Sequence, residues 1–270
     1  MEEKEMKKLL LLDYRCHADI SDIKKAAYKA GWETRQTNKF QVADHIRGYD
    51  LVRYYGNTIH AAQIEDQLPF TFSKIDYSAL AKIPQCTNRN IHYHNFGDLK
   101  QPITKDIFIK PVREKLFDAR IYKKGETITE SPPLDSKIYI SDIIDFRNEV
   151  RCFILDGKVA TSSLYIIGKE IYSDITENAN FDKWIDDTEI PQIVEFICSK
   201  FAMPRGFVID FGVTADRKLS IVEFNEAPFC SLYHCNPDKC LDAIIASVED
   251  KNIIPPEIGQ TISKNLLDLI

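Results

Sequence analysis

The stretch GFVIDFGVTADRKLSIVEFNEAP, residues 206–228, decides the fold. Two apolar runs flank the polar TADRK, the pattern of a hairpin of buried strands. Side chains alternate along a strand, so Glu223 and Asn225 share one face and Phe224 takes the other. Pro228 then breaks the pattern. Antiparallel pairing can bring Asp210, on the first strand, opposite the Glu223–Asn225 face. Three hard oxygen donors converging in this way suit magnesium or manganese. Taken alone, the pair also reads as the polar end of an ordinary strand, so the rest of the chain has to decide.

Composition narrows the field. The chain has 270 residues, 44% apolar and 28% charged, enough for one large or two small soluble domains with a proper core. A net charge of -6 argues against a dominant nucleic-acid surface, though a local basic groove can still receive a triphosphate. No apolar run approaches the roughly 20 residues that span a bilayer. The opening MEEKEMKKLLLLDYRC carries only LLLL, too short for a signal-peptide core. No membrane partner and a cytoplasmic location are expected. Seven scattered cysteines fit a reducing compartment better than a disulfide framework. Cys230, His234, Cys235 and Cys240 lie close in sequence, but without a paired Cys-x-x-Cys. DKCLDAIIASV reads as a helix that carries Cys240 into a core, so zinc is not expected.

The pattern changes along the chain. KKLLLLDYR (7–15) and YDLVRYYG (49–56) read as strands. SDIKKAAYKAGWE (21–33) and TIHAAQIEDQL (58–68) read as helices, the first capped by Ser21 and stopped by Gly31. Strand alternating with helix implies a small parallel α/β unit. It has no Gly-x-Gly-x-x-Gly and no Walker lysine loop. Residues 74–100 form a mixed connector, in which His92 and His94 alternate with no third ligand in view. From 106 the pattern is antiparallel: two strands around VREKLFD, a polar loop at 123–137, the strand IYISDII, then NEVRCFILDG and KVATSSLYII joined at Asp156–Gly157. TEIPQIVEFICSKF and DKCLDAIIASVED read as helices on either side of the opening hairpin.

The same region supplies the other parts a nucleotide needs. DIFIKP puts Lys110 on a strand, where its ammonium can neutralise phosphate. IYISDII offers an apolar strand with free edge amides for a base. Glu149 and Arg151 share a face of the next strand, a carboxylate for a ribose hydroxyl and a guanidinium for a phosphate.

This ordered set resembles the ATP-grasp superfamily, and most of all its clade named for two arginines and a lysine. The likeness runs from about 106 to 245, and the unit before it is similar to a pre-ATP-grasp domain. It implies an α/β fold class: a pre-ATP-grasp unit at 1–72, a connector at 73–105, and an ATP-grasp domain at 106–270. That domain has two antiparallel-sheet lobes with helices, a small one at about 106–144 and a large one at about 145–270. It also implies ATP and magnesium (or manganese) as cofactors. Asp210, Glu223 and Asn225 match the metal ligands, Lys110 the phosphate-binding lysine, and Glu149 the acidic residue near the ribose. Ser141, Asp142 and Ile144 match the hinge that meets adenine, and Arg151 falls near the transferred phosphate or the acyl phosphate. The glycine-rich loop that covers the phosphates in better-known members is replaced here by VREKLFDA, where Arg113 or Lys115 can supply charge; a solvated turn is the alternative. The reaction implied is ligation through an acyl phosphate, joining a small-molecule or peptide carboxylate to an amine or thiol. Tyr165, Tyr233 with His234, and Arg15 at the end of the first strand are candidates to hold those substrates. A phosphotransferase on the same fold and a non-catalytic nucleotide-binding module remain open.

Overall fold

The computed structural model describes residues 6–14, 19–112, 116–168, 170–171 and 189–251. The chain begins with β1 (Lys8–Asp13), α1 (Ile20–Lys29), β2 (Glu33–Thr37), α2 (Val42–Ile46), β3 (Leu51–Tyr55) and α3 (Thr58–Ile64). The three strands form a parallel sheet of order β2-β1-β3. The run LLLL makes β1 central, because a parallel strand is covered on both faces. Leu10 and Leu12 pack with Ile23, Ala26 and Ala27 of α1, while Leu9 and Leu11 pack with Val42, Ala61 and Ile64 on the other side. The sequence pattern missed β2 and α2. ETRQT is polar and mostly exposed, an edge strand whose one buried residue is Thr37. Ser21 does not cap α1. Asp19 stands at that position, and its carboxylate accepts instead from the Leu232 amide at 2.9 Å.

After α3 come β4 (Phe70–Phe72), a 3-10 turn at Tyr77–Lys82, α4 (Pro84–Thr87) and β5 (Ile91–Asn95). Then follow β6 (Ile107–Pro111), β7 (Arg120–Tyr122) and β8 (Lys137–Ser141). These last four strands make an antiparallel sheet of order β5-β8-β6-β7. The expected free edge on β8 is therefore absent. Part of the stretch read as connector, residues 91–95, pairs with β8 along its length and leaves it internal.

The second antiparallel sheet has the order β11-β10-β9-β12-β13, from β9 (Phe146–Leu155), β10 (Lys158–Ile167), β11 (Glu170–Ile171), β12 (Gly206–Thr214) and β13 (Leu219–Asn225). Asp156 and Gly157 both have positive φ, 49° and 75°, the backbone that a tight two-residue hairpin requires. Helix α5 (Glu189–Lys200) lays Ile190, Val194 and Ile197 on one face of this sheet, against Cys152, Ile154, Phe207 and Ile209. Helix α6 (Pro237–Ala246) covers part of the opposite face, where Cys240, Leu241 and Ile244 meet Phe153 and Val208. The same cluster takes in Leu10 and Leu12, so α6 is wedged between the parallel sheet and the large antiparallel one. It ends near Ser247, short of the helix expected to 250. Residues of β14 (Val248–Asp250) pair with β4 instead, a partner too distant in sequence for any local signal.

Gly206 shows how tightly α6 is seated. A Cβ at that position would run into the backbone carbonyl of Ala243. Backbone cannot swing aside, so Gly206→Ala should cost about 1–3 kcal/mol of stability. A urea melt with an unchanged midpoint would show that α6 is not held this closely.

Candidate functional site

The site lies where the two antiparallel sheets face each other. Cross-strand register builds its floor: Arg151 on β9 stands beside Asp210 on β12, and Asp210 beside Glu223 on β13. Paired residues point to the same face, so cation, carboxylate and carboxylate form one row. Asn225, two residues on from Glu223, shares that face. Its amide nitrogen donates to Asp210 Oδ2 at 3.1 Å and to Glu223 Oε1 at 3.0 Å. From the opposite sheet, Lys110 on β6 bridges the cleft and pairs directly with Glu223 Oε2.

Burial sets the electrostatics. Asp210 is fully buried, and Arg151 answers it with a two-point ion pair, Nε to Oδ1 at 2.9 Å and Nη2 to Oδ2 at 2.7 Å. Burial raises the Asp210 pKa above 3.8, only partly opposed by Arg151. Burial also works to raise Glu223, but the Lys110 ammonium and the Asn225 amide outweigh it and hold that carboxyl at about 2. Glu149 is pushed up by burial and by the charges of Asp210 and Glu223, although it accepts a 2.6 Å bond from the Tyr165 hydroxyl.

Arg151 was expected to face a phosphate. Three of its five N–H donors are spent within the protein: two on Asp210 and one, from Nη1, on the Ser231 carbonyl at 3.1 Å. Its guanidinium lies 5.2 and 4.9 Å from the ring centres of Tyr165 and Tyr233, which stack on each other at 4.7 Å. Tyr233 and His234 both have positive φ, 44° and 65°, a costly backbone for non-glycine residues that the surrounding contacts hold in place. Arg15, Arg113 and Lys115 lie outside the described residues.

Beside the row opens a cleft of about 370 Å³. Its walls include Lys110, Ser141, Asp142, Ile144, Glu149 and Glu223, so the hinge, ribose, lysine and one metal candidate line a single cavity. The Asp142 carboxylate is spent on the scaffold, accepting from the Asn90 amide nitrogen at 3.2 Å and the Asn90 side chain at 2.8 Å. Phe108, Tyr139, Ile91, Ile143 and Phe146 add apolar surface of the kind a base packs on.

Arg89 also lines the cavity, and sequence reasoning missed it. It donates to the carbonyls of Thr87, Ile221 and Val222, bracing β13 just before Glu223. Burial lowers its pKa to about 10, against the pull of Glu149 and Glu223. Nothing in the polar run TNRN marks it; only the long-range approach of α4 to β13 does.

The donor set fits a hard divalent cation in its chemistry: two carboxylates and a carboxamide, all bearing oxygen, within hydrogen-bond reach of one another. Among the described residues, no three His, Cys, Asp or Glu side chains come together as a metal-binding group. His92 and His94 stack at 5.9 Å on the exposed edge strand β5. Cys230, Cys235 and Cys240 are buried free thiols. Among the described residues, no helix is long and apolar enough to cross a membrane.

Comparison with known proteins identifies the family. The profile of the ATP-grasp domain of the two-arginine, one-lysine clade, family 2, matches residues 86–243, more than half of the chain. No curated protein matches the chain in sequence. Among solved structures, N5-carboxyaminoimidazole synthetase from Staphylococcus aureus complexed with ADP is similar, with a TM-score of 0.57 and 10% identity over 96% of this chain and 88% of that one. A second structure of the same synthetase aligns at 0.53 and 12% identity, over 92% and 82%. D-alanine–D-alanine ligase from Bacillus anthracis complexed with ATP aligns at 0.49 and 14% identity, over 89% and 97%. At such identities the likeness to the synthetase is one of fold.

Proposed function

The chain belongs to family 2 of the two-arginine, one-lysine clade of ATP-grasp domains, and on that premise we propose that it is an ATP- and magnesium-dependent ligase. It would join a small-molecule or peptide carboxylate to an amine or thiol through an acyl phosphate. The observation that carries the reading is the meeting of Lys110 from one sheet with Glu223 from the other, which Asn225 ties to Asp210, with Lys110 and Glu223 lining a base-sized cleft.

In this reading the base lies against Ser141–Ile144 and Phe146, and Glu149 takes a ribose hydroxyl. Lys110 turns to the phosphates. Asp210, Glu223 and Asn225 would hold magnesium, which would supply positive charge beside the phosphates. The substrate carboxylate attacks the γ-phosphorus, the bond to the bridging oxygen breaks, and ADP leaves. The amine or thiol then adds to the acyl carbon and phosphate departs. No protein nucleophile is required, and the protein contributes position and charge. Arg151 fixes Asp210, and the Tyr165–Tyr233 stack with His234 borders the place for the substrate.

A phosphate-release screen with ATP, magnesium and pools of amino acids, single and paired, tests the reaction. Release that needs both an acid and an amine supports ligation. Release with one acceptor, which becomes phosphorylated, points to a phosphotransferase. ATP binding without any turnover points to a binding module. Lys110→Ala should weaken ATP binding by tenfold or more, about 1.4 kcal/mol, as a charged contact to phosphate is lost. Unchanged affinity by calorimetry would remove the lysine from the nucleotide site.

A further inference from the structure

Given that reading of the cleft as a site for ATP and a divalent cation, we propose that Lys110 holds the metal's place at Glu223, so that metal and nucleotide load only together. The carboxylate oxygens of the site already face donors. Glu223 Oε2 faces Lys110, and Glu223 Oε1 accepts from Asn225. Both oxygens of Asp210 face Arg151, and Oδ2 also accepts from Asn225. With carboxylates as its neighbours, Asn225 presents its NH₂ group, whereas a cation needs its oxygen.

A cation therefore enters only if two things happen: Lys110 leaves Glu223, and the Asn225 amide turns over. The side chains of Lys110 and Glu223 are only 22% and 25% exposed, so water does not freely replace the partner either would lose. A bare metal ion displaces the ammonium and gives it no new anion. A triphosphate gives it one, within the same cleft that Lys110 lines. Arg151 is not exchanged in this way. It is buried, tied to the Ser231 carbonyl and flanked by two rings. Of the two described cations that bond these carboxylates, the lysine is thus the one that can be exchanged, and its transfer from Glu223 to phosphate couples the two ligands.

Manganese retained by the protein in equilibrium dialysis, counted against the metal that the nucleotide holds alone, reports on this. The wild-type protein should take up Mn²⁺ weakly alone and much more tightly with a non-hydrolysable ATP analogue. Lys110→Met should bind Mn²⁺ alone at least about tenfold more tightly than wild type, while its nucleotide affinity falls. Adding Glu223→Gln to Lys110→Met should abolish the gain, which assigns it to that carboxylate. Should Lys110→Met fold poorly, Lys110→Gln makes the same comparison. If wild type binds Mn²⁺ alone as tightly as the lysine variants, or takes it up with nucleotide while the variants show no gain, the placeholder role is wrong and the ligand assignment stands. If wild type takes up no Mn²⁺ even with nucleotide, the metal site itself is refuted.

Discussion

Glu223→Gln should leave the fold standing and lower ATP-dependent turnover by roughly a hundredfold or more, the scale of losing one principal electrostatic stabiliser. The substitution keeps shape and volume and removes one charge. Glu223 sits at the end of β13 facing the cleft, a quarter exposed, and its contacts are polar ones to Lys110 and Asn225. A glutamine's side-chain oxygen has two lone pairs and can still accept from both Lys110 and Asn225. The melting temperature should move by no more than about 4 °C, the equivalent of about 1 kcal/mol in a chain of this size. The loss falls on chemistry, because a metal at this position would be the largest positive charge beside the transferred phosphate. Normal turnover in Glu223→Gln would reduce the Glu-x-Asn pair to the end of a strand.

Arg151→Met should do the opposite and strike the fold first. It removes the guanidinium from a fully buried carboxylate and leaves Asp210 without its two-point partner. Breaking a buried ion pair from one side typically costs about 3–5 kcal/mol. The loss should depend on pH in a definite direction. Burial already lifts Asp210 above 3.8 with Arg151 present, and without the arginine it lifts the pKa further. A carboxyl with a raised folded-state pKa favours the fold when protonated, and that advantage is lost as pH rises from the unfolded to the folded pKa. Arg151→Met should therefore lie closest to wild type in acid and furthest from it near neutrality. Adding Asp210→Asn should recover much of the loss at neutral pH. Urea unfolding of the two single variants and the double variant at two pH values checks both claims. A single variant as stable as wild type at pH 7 would show that the pair does not hold this part of the sheet.

Some of this was legible in the residues alone. The period-two pattern of LSIVEFN put Glu223 and Asn225 on one face, because strand geometry leaves no other choice. The hairpin could bring Asp210 opposite the Glu223–Asn225 face, and the register observed pairs it with Glu223. LLLL announced a strand covered on both sides, and Asp156–Gly157 a tight turn, since local backbone chemistry settles such things. Other features depend on partners far away along the chain. ETRQT carries no apolar signal and is a strand only because β1 accepts it at an edge. IYIS reads the same at the edge or the centre of a sheet, and β5 decides in favour of the centre. Arg151 has the same chemistry beside a phosphate or a carboxylate, and only the ladder shows that it pairs with the buried Asp210. Arg89 lies in a polar run indistinguishable from solvent-facing sequence, and enters the cavity only because α4 packs on β13. Strand period and turn chemistry act over a few residues and can be read in order. Pairing partners, burial and the company a charge keeps arise only when distant segments meet.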